Sequence, residues 1–140
     1  MQIIGSTKLK TATKGSAGYD LRAELSEPAT LDPGDVALVP TGIAIHLDDP
    51  NIVAKIYARS GLAIKHGITL ANGVGVVDSD YQDEIYVGLA NHSSVSFTIE
   101  DGMRIAQMLF EPVLHPAFSW VEDFSEETER EGGFGSTGLH

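Results

Sequence analysis

A chain of 140 residues, 42% hydrophobic and 21% charged, has room for one domain with its own core. Its formal charge of −11 excludes general nucleic-acid binding, which needs a basic footprint, and the absence of cysteine removes disulfides and thiolate metal sites. No apolar run approaches membrane-spanning length, and five histidines without HxH or HExxH spacing argue against zinc.

In chain order, the first informative segment is Ala17-Gly18-Tyr19-Asp20-Leu21-Arg22-Ala23. It reads as a largely apolar strand carrying a carboxylate, and Asp20 in such a place needs a cationic partner. Turn signals follow at Asp32-Pro33-Gly34-Asp35 and Asp48-Asp49-Pro50-Asn51, on either side of the alternating Ile43, Ile45 and Leu47. Ser60-Gly61-Leu62-Ala63-Ile64-Lys65-His66-Gly67 offers a cap, about a turn and a half of helix and a glycine stop. Arg59 and Ser60 stand at the mouth of that helix. Its free N–H groups point outward there and Gly61 admits an anion close to the backbone, which suits a phosphate; a plain N-cap with a surface arginine is the simpler alternative.

Asn72-Gly73-Val74-Gly75-Val76-Val77-Asp78-Ser79-Asp80-Tyr81 comes next. Val76 and Val77 read as strand, so Asp78 and Asp80 are expected on one side of an extended chain, one carboxylate orienting a water and the other organising its surroundings. The competing reading is an aspartate-rich turn. Asn72 with its two glycines suggests a hairpin whose backbone can approach a flat ligand. Ile85, Val87 and Leu89 alternate, as do Val95, Phe97 and Ile99, before a turn at Asp101-Gly102. Gly102–Phe110 is a further strand that carries Arg104 and Gln107. An Asp20–Arg104 ion pair is expected, structural in role ahead of any contact with ligand.

The end of the chain changes character. Glu122, Asp123, Glu126, Glu127, Glu129 and Glu131 form a solvated acidic approach, and Gly132-Gly133-Phe134-Gly135-Ser136-Thr137-Gly138 is too rich in glycine to build core. One ring and two hydroxyls downstream of Arg130 suit a flap that orders over a ligand, with a frayed terminus as the bland alternative. Short strands with turns every eight to twelve residues predict an all-β fold, an antiparallel sandwich or barrel with one short helix. The expected organisation is a β-domain over residues 1–121 and an acidic linker with a mobile flap over 122–140. Residues 1–15 lack a signal peptide's apolar stretch, so the cytoplasm is the default setting, with a nuclear or viral one left open.

Taken together and in order, AGYDLRA (17–23), RSGLA (59–63), NGVGVVDSDYQDEI (72–85), GMRIAQMLF (102–110) and REGGFGSTG (130–138) closely resemble the trimeric dUTP pyrophosphatase family. The resemblance runs from about residue 8 to the end. It implies a jelly-roll-like β-domain, a homotrimer whose active sites are shared between subunits, and hydrolysis of dUTP to dUMP and pyrophosphate, which limits uracil in DNA and supplies dUMP for thymidylate. Carried over residue by residue, it makes Asp78 the group that activates water for attack on the α-phosphorus. Ser60 would meet the oxygen bridging the α and β phosphates, and Arg59 and Gln107 other phosphate oxygens. Asn72 would read uracil's edge, Tyr81 would lie against the deoxyribose, and Phe134 would cap the base. Arg130 would reach the terminal phosphate, with Ser136 and Thr137 near phosphates, and Gly61, Val77 and Gly135 complete the substrate-contacting set. Mg²⁺ would be held mainly by the triphosphate, with Asp20 near its water shell and paired to Arg104.

Two positions depart from the family pattern. Asp83 stands where glycine is usual, at a cost of about 1 kcal/mol or more if the backbone there needs positive φ. The tail is one residue short between Arg130 and Phe134, roughly 3.3 Å of reach, which puts the Arg130 contact in doubt. Competing functions are a dCTP deaminase on the same general fold, a catalytically silent dUTP-binding regulatory protein, and a purely structural β-sandwich subunit. The last leaves the glycine-rich tail and the Asn72 segment unexplained.

Overall fold

The computed structural model describes residues 1–5 and 9–124. Where the sequence alternates, the backbone is extended, because only that geometry sends Ile43, Ile45 and Leu47 inward while Ala44 and His46 stay part-exposed. The described elements are β1 (Gln2–Gly5), β2 (Tyr19–Arg22), β3 (Ala29–Leu31), β4 (Val36–His46), β5 (Ile52–Ala58), α1 (Ser60–His66), β6 (Ile68–Leu70), β7 (Gly75–Val77), β8 (Glu84–Asn91), β9 (Phe97–Ile99) and β10 (Arg104–Pro112).

Two four-stranded sheets, ordered β1-β4-β8-β6 and β2-β10-β5-β7, face each other, and β3 and β9 form a separate ribbon. Every strand pairing among the described residues is antiparallel. The sandwich reading therefore holds, and no closed barrel forms among the described residues. Between the sheets lie Val39, Ile43, Ile45, Ile85, Val87 and Leu89 from one side and Leu21, Ala54, Ile56, Ala106 and Met108 from the other, all buried. Each large side chain among them contributes about 1.5–3 kcal/mol by leaving water. Two polar residues share this interior without penalty. Thr41 donates its hydroxyl to the Ile85 carbonyl at 2.6 Å, and the Asn91 amide donates to the carbonyls of Leu31 and Val95 at 2.9 Å each.

Several local expectations need correction. The strand expected to include Val95 is only Phe97–Ile99, and Val95 is exposed; Ser93, Val95 and Asn91 form a side-chain-braced turn there. Helix α1 starts at Ser60, but its N-cap is Arg59, and no side chain caps it. The glycine stop is as expected. Gly67 lies at φ 69°, and its N–H bonds the carbonyls of Ala63 and Leu62. The Asn72 segment is not a paired hairpin: β6 belongs to one sheet and β7 to the other, so residues 71–74 arch across the open edge of the sandwich. No helix among the described residues is long and apolar enough to cross a membrane.

Candidate active site

Strand register gathers the first group of site residues. Asp20 on β2 lies opposite Gln107 on β10, and Gln107 lies opposite Tyr57 on β5. The two arginines then close on Asp20 from different sides. Arg104 Nη1 is 3.4 Å from one carboxylate oxygen and Arg59 Nε is 3.6 Å from the other, with the Asp20 side chain 17% exposed. The expected Asp20–Arg104 pair is present; the second partner, Arg59, is not one that the sequence reading named. Arg59 also donates from Nη1 to the Arg104 carbonyl at 3.2 Å, so its guanidinium is fixed from two directions. Gln107 donates Nε2 to the Ala58 carbonyl at 3.2 Å. Gly18 accounts for the space that Gln107 occupies: a Cβ there would stand 2.9 Å from Gln107 Oε1 and 3.0 Å from Leu109 Cδ1. Ser60 is exposed at the first helical position, and nothing lies within 4 Å of where a Gly61 Cβ would be, which leaves the helix mouth open.

The second group is built on the arch. Ala71 donates to the Gly88 carbonyl at 2.8 Å, Gly73 at φ 72° donates to the Leu70 carbonyl, and Val74 donates to the Asn72 carbonyl at 2.8 Å. Gly75 pairs with Ile56 so closely that a Cβ would stand 2.9 Å from Ile56 Cβ. This crowding is why glycine is needed where β7 joins β5. A cleft of about 220 Å³ results, lined by Ile56, Asn72, Gly75, Val76, Val77, Tyr81, Ile85 and Tyr86. Tyr81 is held at its rim by its hydroxyl, which donates to the Glu84 carbonyl at 2.8 Å.

Asp78 does not continue the strand. The Tyr81 amide donates to the Asp78 carbonyl at 3.2 Å, so residues 78–81 form a turn, and the reading of Asp78 and Asp80 on an extended chain is wrong. Both aspartates nevertheless open on one shallow recess of about 630 Å³, which Lys55, Val53, Val76 and His115 also line. Asp83 is exposed, and it is not among the residues with positive φ, so the cost attached to that conformation does not arise.

The two groups stand apart. Val77 pairs with Ala54, near the start of β5, whereas Arg59 follows its end. Five residues of strand separate those points by about 17 Å. Arg59 moreover leans toward Asp20 on β2, across β10 and away from β7. One copy of the chain thus brings Asp20, Arg59, Arg104 and Gln107 together, and separately Asn72, Val77 and Tyr81, but does not bring Asp78 to the arginines. Arg130, Phe134, Gly135, Ser136 and Thr137 lie outside the described residues.

Comparison with known proteins matches residues 6–138 to the dUTPase family. The chain belongs to that family. Two deoxyuridine 5'-triphosphate nucleotidohydrolases are similar over most of their length. That of Hahella chejuensis is 55% identical over 91% of this chain and 84% of its own. That of Neisseria meningitidis is 56% identical over 92% and 86%. Among solved structures, the dUTPase of Staphylococcus bacteriophage 80alpha with dUpNHpp superposes at a TM-score of 0.84 and 25% identity, covering 99% of this chain and 98% of its own.

As a dUTPase, the chain carries one polar cluster that the motif reading passed over. Lys55 Nζ bonds Glu111 Oε2 at 2.7 Å, and the Tyr57 hydroxyl donates to Glu111 Oε1 at 2.9 Å. The hydrogen bond from Lys55, then that from Tyr57, holds the Glu111 carboxyl below its usual range; the bond to Glu111 in turn raises Lys55 and Tyr57. The spacing 55, 57, 59 was a usable sign, since it puts these two side chains on the same sheet face as Arg59. Tyr86, at the cleft, is raised by the neighbouring Glu84 charge. No group of three or more metal-ligating side chains occurs among the described residues. Asp20 has each oxygen facing a guanidinium, so its chemistry suits accepting from metal-bound water better than ligating a metal directly.

Proposed function

We propose that this dUTPase cleaves dUTP to dUMP and pyrophosphate at sites assembled between copies of the chain, three copies being the expected number. The observation that carries the shared site is the gap of about 17 Å along β5 between the arch and the arginine cluster. Water attack needs the Asp78 carboxylate within hydrogen-bond reach of the water and the phosphate held by Arg59 at the same place, which a single copy does not provide. A neighbour's arginine cluster brought to the arch meets both demands.

In this reading Asp78 stays ionised and orients the attacking water. Arg59 and Gln107 hold phosphate oxygens, and Ser60 meets the bridging oxygen at the open mouth of α1. Mg²⁺ bound with the triphosphate would supply charge neutralisation, and Asp20 would hold its water shell. The Asp20–Arg59 and Asp20–Arg104 distances of 3.6 and 3.4 Å support that role, because each carboxylate oxygen already faces a guanidinium and is better placed to accept from metal-bound water than to ligate the metal. Asn72 and the arch backbone read uracil. Cytosine would present a donor to a donor there, and such an unpaired clash discriminates by several orders of magnitude. Tyr81, its ring fixed by the bond to Glu84, lies against the deoxyribose and excludes a 2′-hydroxyl. The tail residues Phe134, Gly135, Ser136 and Thr137 close over base and phosphates, and Arg130 reaches the terminal phosphate if one residue less of tail allows.

The test is pyrophosphate release from dUTP, dCTP, dTTP and UTP, with Mg²⁺ and with a chelator. Release from dUTP alone, lost on chelation, is expected. Ammonia from dCTP would overturn the reading in favour of a deaminase, and tight dUTP binding without turnover would favour a silent regulatory protein.

A further inference from the structure

The turn between β4 and β5 holds the one non-glycine residue with positive φ among the described residues, Asp48 at 57°. Side chains other than asparagine and aspartate rarely adopt that left-handed conformation, so the position is constrained by the backbone. The constraint has a visible product: the Asp48 amide donates to the carbonyl of Ser79 at 3.3 Å. Ser79 is the residue after Asp78. The remaining bonds of the 78–81 turn run within it or to the start of β8, from the Tyr81 amide to the Asp78 carbonyl and from the Tyr81 hydroxyl to the Glu84 carbonyl.

The turn that offers this amide is itself fixed on its far side. Asp49 Oδ1 accepts from the Asn51 amide at 2.9 Å, and the Ile52 amide donates to the Asp49 carbonyl at 3.1 Å. Beyond β10, the Val113 amide donates to the Asn51 carbonyl at 2.8 Å. His115 Nε2 stands 2.9 Å from the Pro50 carbonyl, which can only accept, so the ring donates there. The Asp78 turn is thus tied to a point that is anchored both locally and to the chain after β10.

We propose that Asp48 is a positioning residue for the hydrolytic step. Its left-handed backbone aims an N–H at the Ser79 carbonyl and thereby sets where the exposed Asp78 carboxylate stands. The proposal rests on the water-orienting role given to Asp78 above. It differs from a role for the Asp48 charge, because asparagine and glycine tolerate the same φ and a β-branched residue does not.

The experiment compares Asp48→Asn, Asp48→Gly, Asp48→Ala and Asp48→Val in steady-state dUTP hydrolysis, with Asp78→Asn alongside and the folded fraction of each checked by circular dichroism. Expected is a drop in kcat of about tenfold or more for Asp48→Val, a smaller one for Asp48→Ala, KM within about threefold of wild type, and rescue of kcat by asparagine and glycine; displacements near 1 Å have effects of this order. If the valine variant does not fold, alanine against glycine decides the same question. A folded valine or alanine variant with wild-type kcat overturns the proposal. So does an asparagine variant as impaired as valine, which would assign the effect to the carboxylate. Full activity in Asp78→Asn would instead sink the role of Asp78, a failure distinct from that of Asp48.

Discussion

Two variants that are each inactive should restore one another if the site is drawn from neighbouring copies. Arg59→Ala removes the guanidinium between Asp20 and the Arg104 carbonyl, and Asp78→Asn removes the carboxylate proposed to orient the water. On one chain the point where β7 ends against β5, just before Asp78, is about 17 Å along β5 from Arg59, and Arg59 is directed away from β7, so no side-chain motion within a copy joins them. In a ring, each site would take its arch from one copy and its arginine from the next. With equal, random mixing about one quarter of all sites are whole, and in a ring of three selected to carry both variants about one site in three is. Each variant alone should retain about 1% of wild-type turnover or less, given that a positioned base or a charge clamp is worth 10²–10⁴. The restored activity is therefore well above background. Differently tagged variants are coexpressed, purified sequentially on both tags, and assayed for pyrophosphate release from dUTP. Doubly tagged oligomers no more active than their parents would refute the shared site and return the complete chemistry to a single copy.

Gly18→Ala should lower kcat/KM by about tenfold with little change in melting, since the added Cβ, 2.9 Å from Gln107 Oε1, displaces a flexible side chain proposed to hold phosphate; unchanged kcat/KM would remove Gln107 from the site. Gly67→Ala should destabilise by about 1–3 kcal/mol in urea, because the residue sits at φ 69° and its Cβ would meet Ser93 N and Cβ at 2.9 Å; a neutral result would mean that the helix end relaxes freely. The Lys55–Tyr57–Glu111 cluster predicts a pH window. Glu111, held low, adds stability that is complete above about pH 4.3 and is lost as pH falls through its lowered value. Lys55 and Tyr57, held high, add stability that is complete below about pH 10 and is lost as pH rises through their raised values. Glu111→Gln should melt lower than wild type across that window, and the two melting curves should converge toward either extreme; a constant offset would deny the cluster any part in pH dependence.

What the sequence made legible is what depends on neighbours along the chain. Ile43, Ile45 and Leu47, and Ile85, Val87 and Leu89, reveal strands because burial of one face repeats every second residue. Gly67 reveals the helix end because only a residue at ease with positive φ closes it so cheaply. The failures concern choices made at a distance. Asn72-Gly73 looks like a hairpin, yet β6 finds β8 and β7 finds β5, and those registers turn the segment into an arch. Asp78 looks extended until the Tyr81 amide turns back on its carbonyl. The partner of Lys55 is 56 residues away, and Arg59 meets Asp20 only because β10 lies between β2 and β5. The motifs that carry the candidate residues were legible; the division of the described ones into two clusters was not.

That division and the surface of the chain have a common explanation. Residues 113–124 follow β10 without further regular structure, and Leu114, Phe118, Trp120 and Phe124 are left exposed, Trp120 to 98%. On the opposite sheet, Val36 and Leu38 of β4 and Tyr86 of β8 are exposed on one outer face, close to the arch. Apolar surface of this kind on a domain with a complete interior core marks contact with other molecules. A folding defect would leave unsatisfied polar groups as well, and among the described residues no buried side-chain donor or acceptor lacks a partner. The interior of the described residues is finished, so on the shared-site proposal the demand for a second copy would arise after folding and from chemistry. Assembly that covers the apolar faces and brings an arginine cluster to an arch would meet both needs in one step, making activity inseparable from association: dilution below the dissociation constant should extinguish turnover while each chain keeps its sheets.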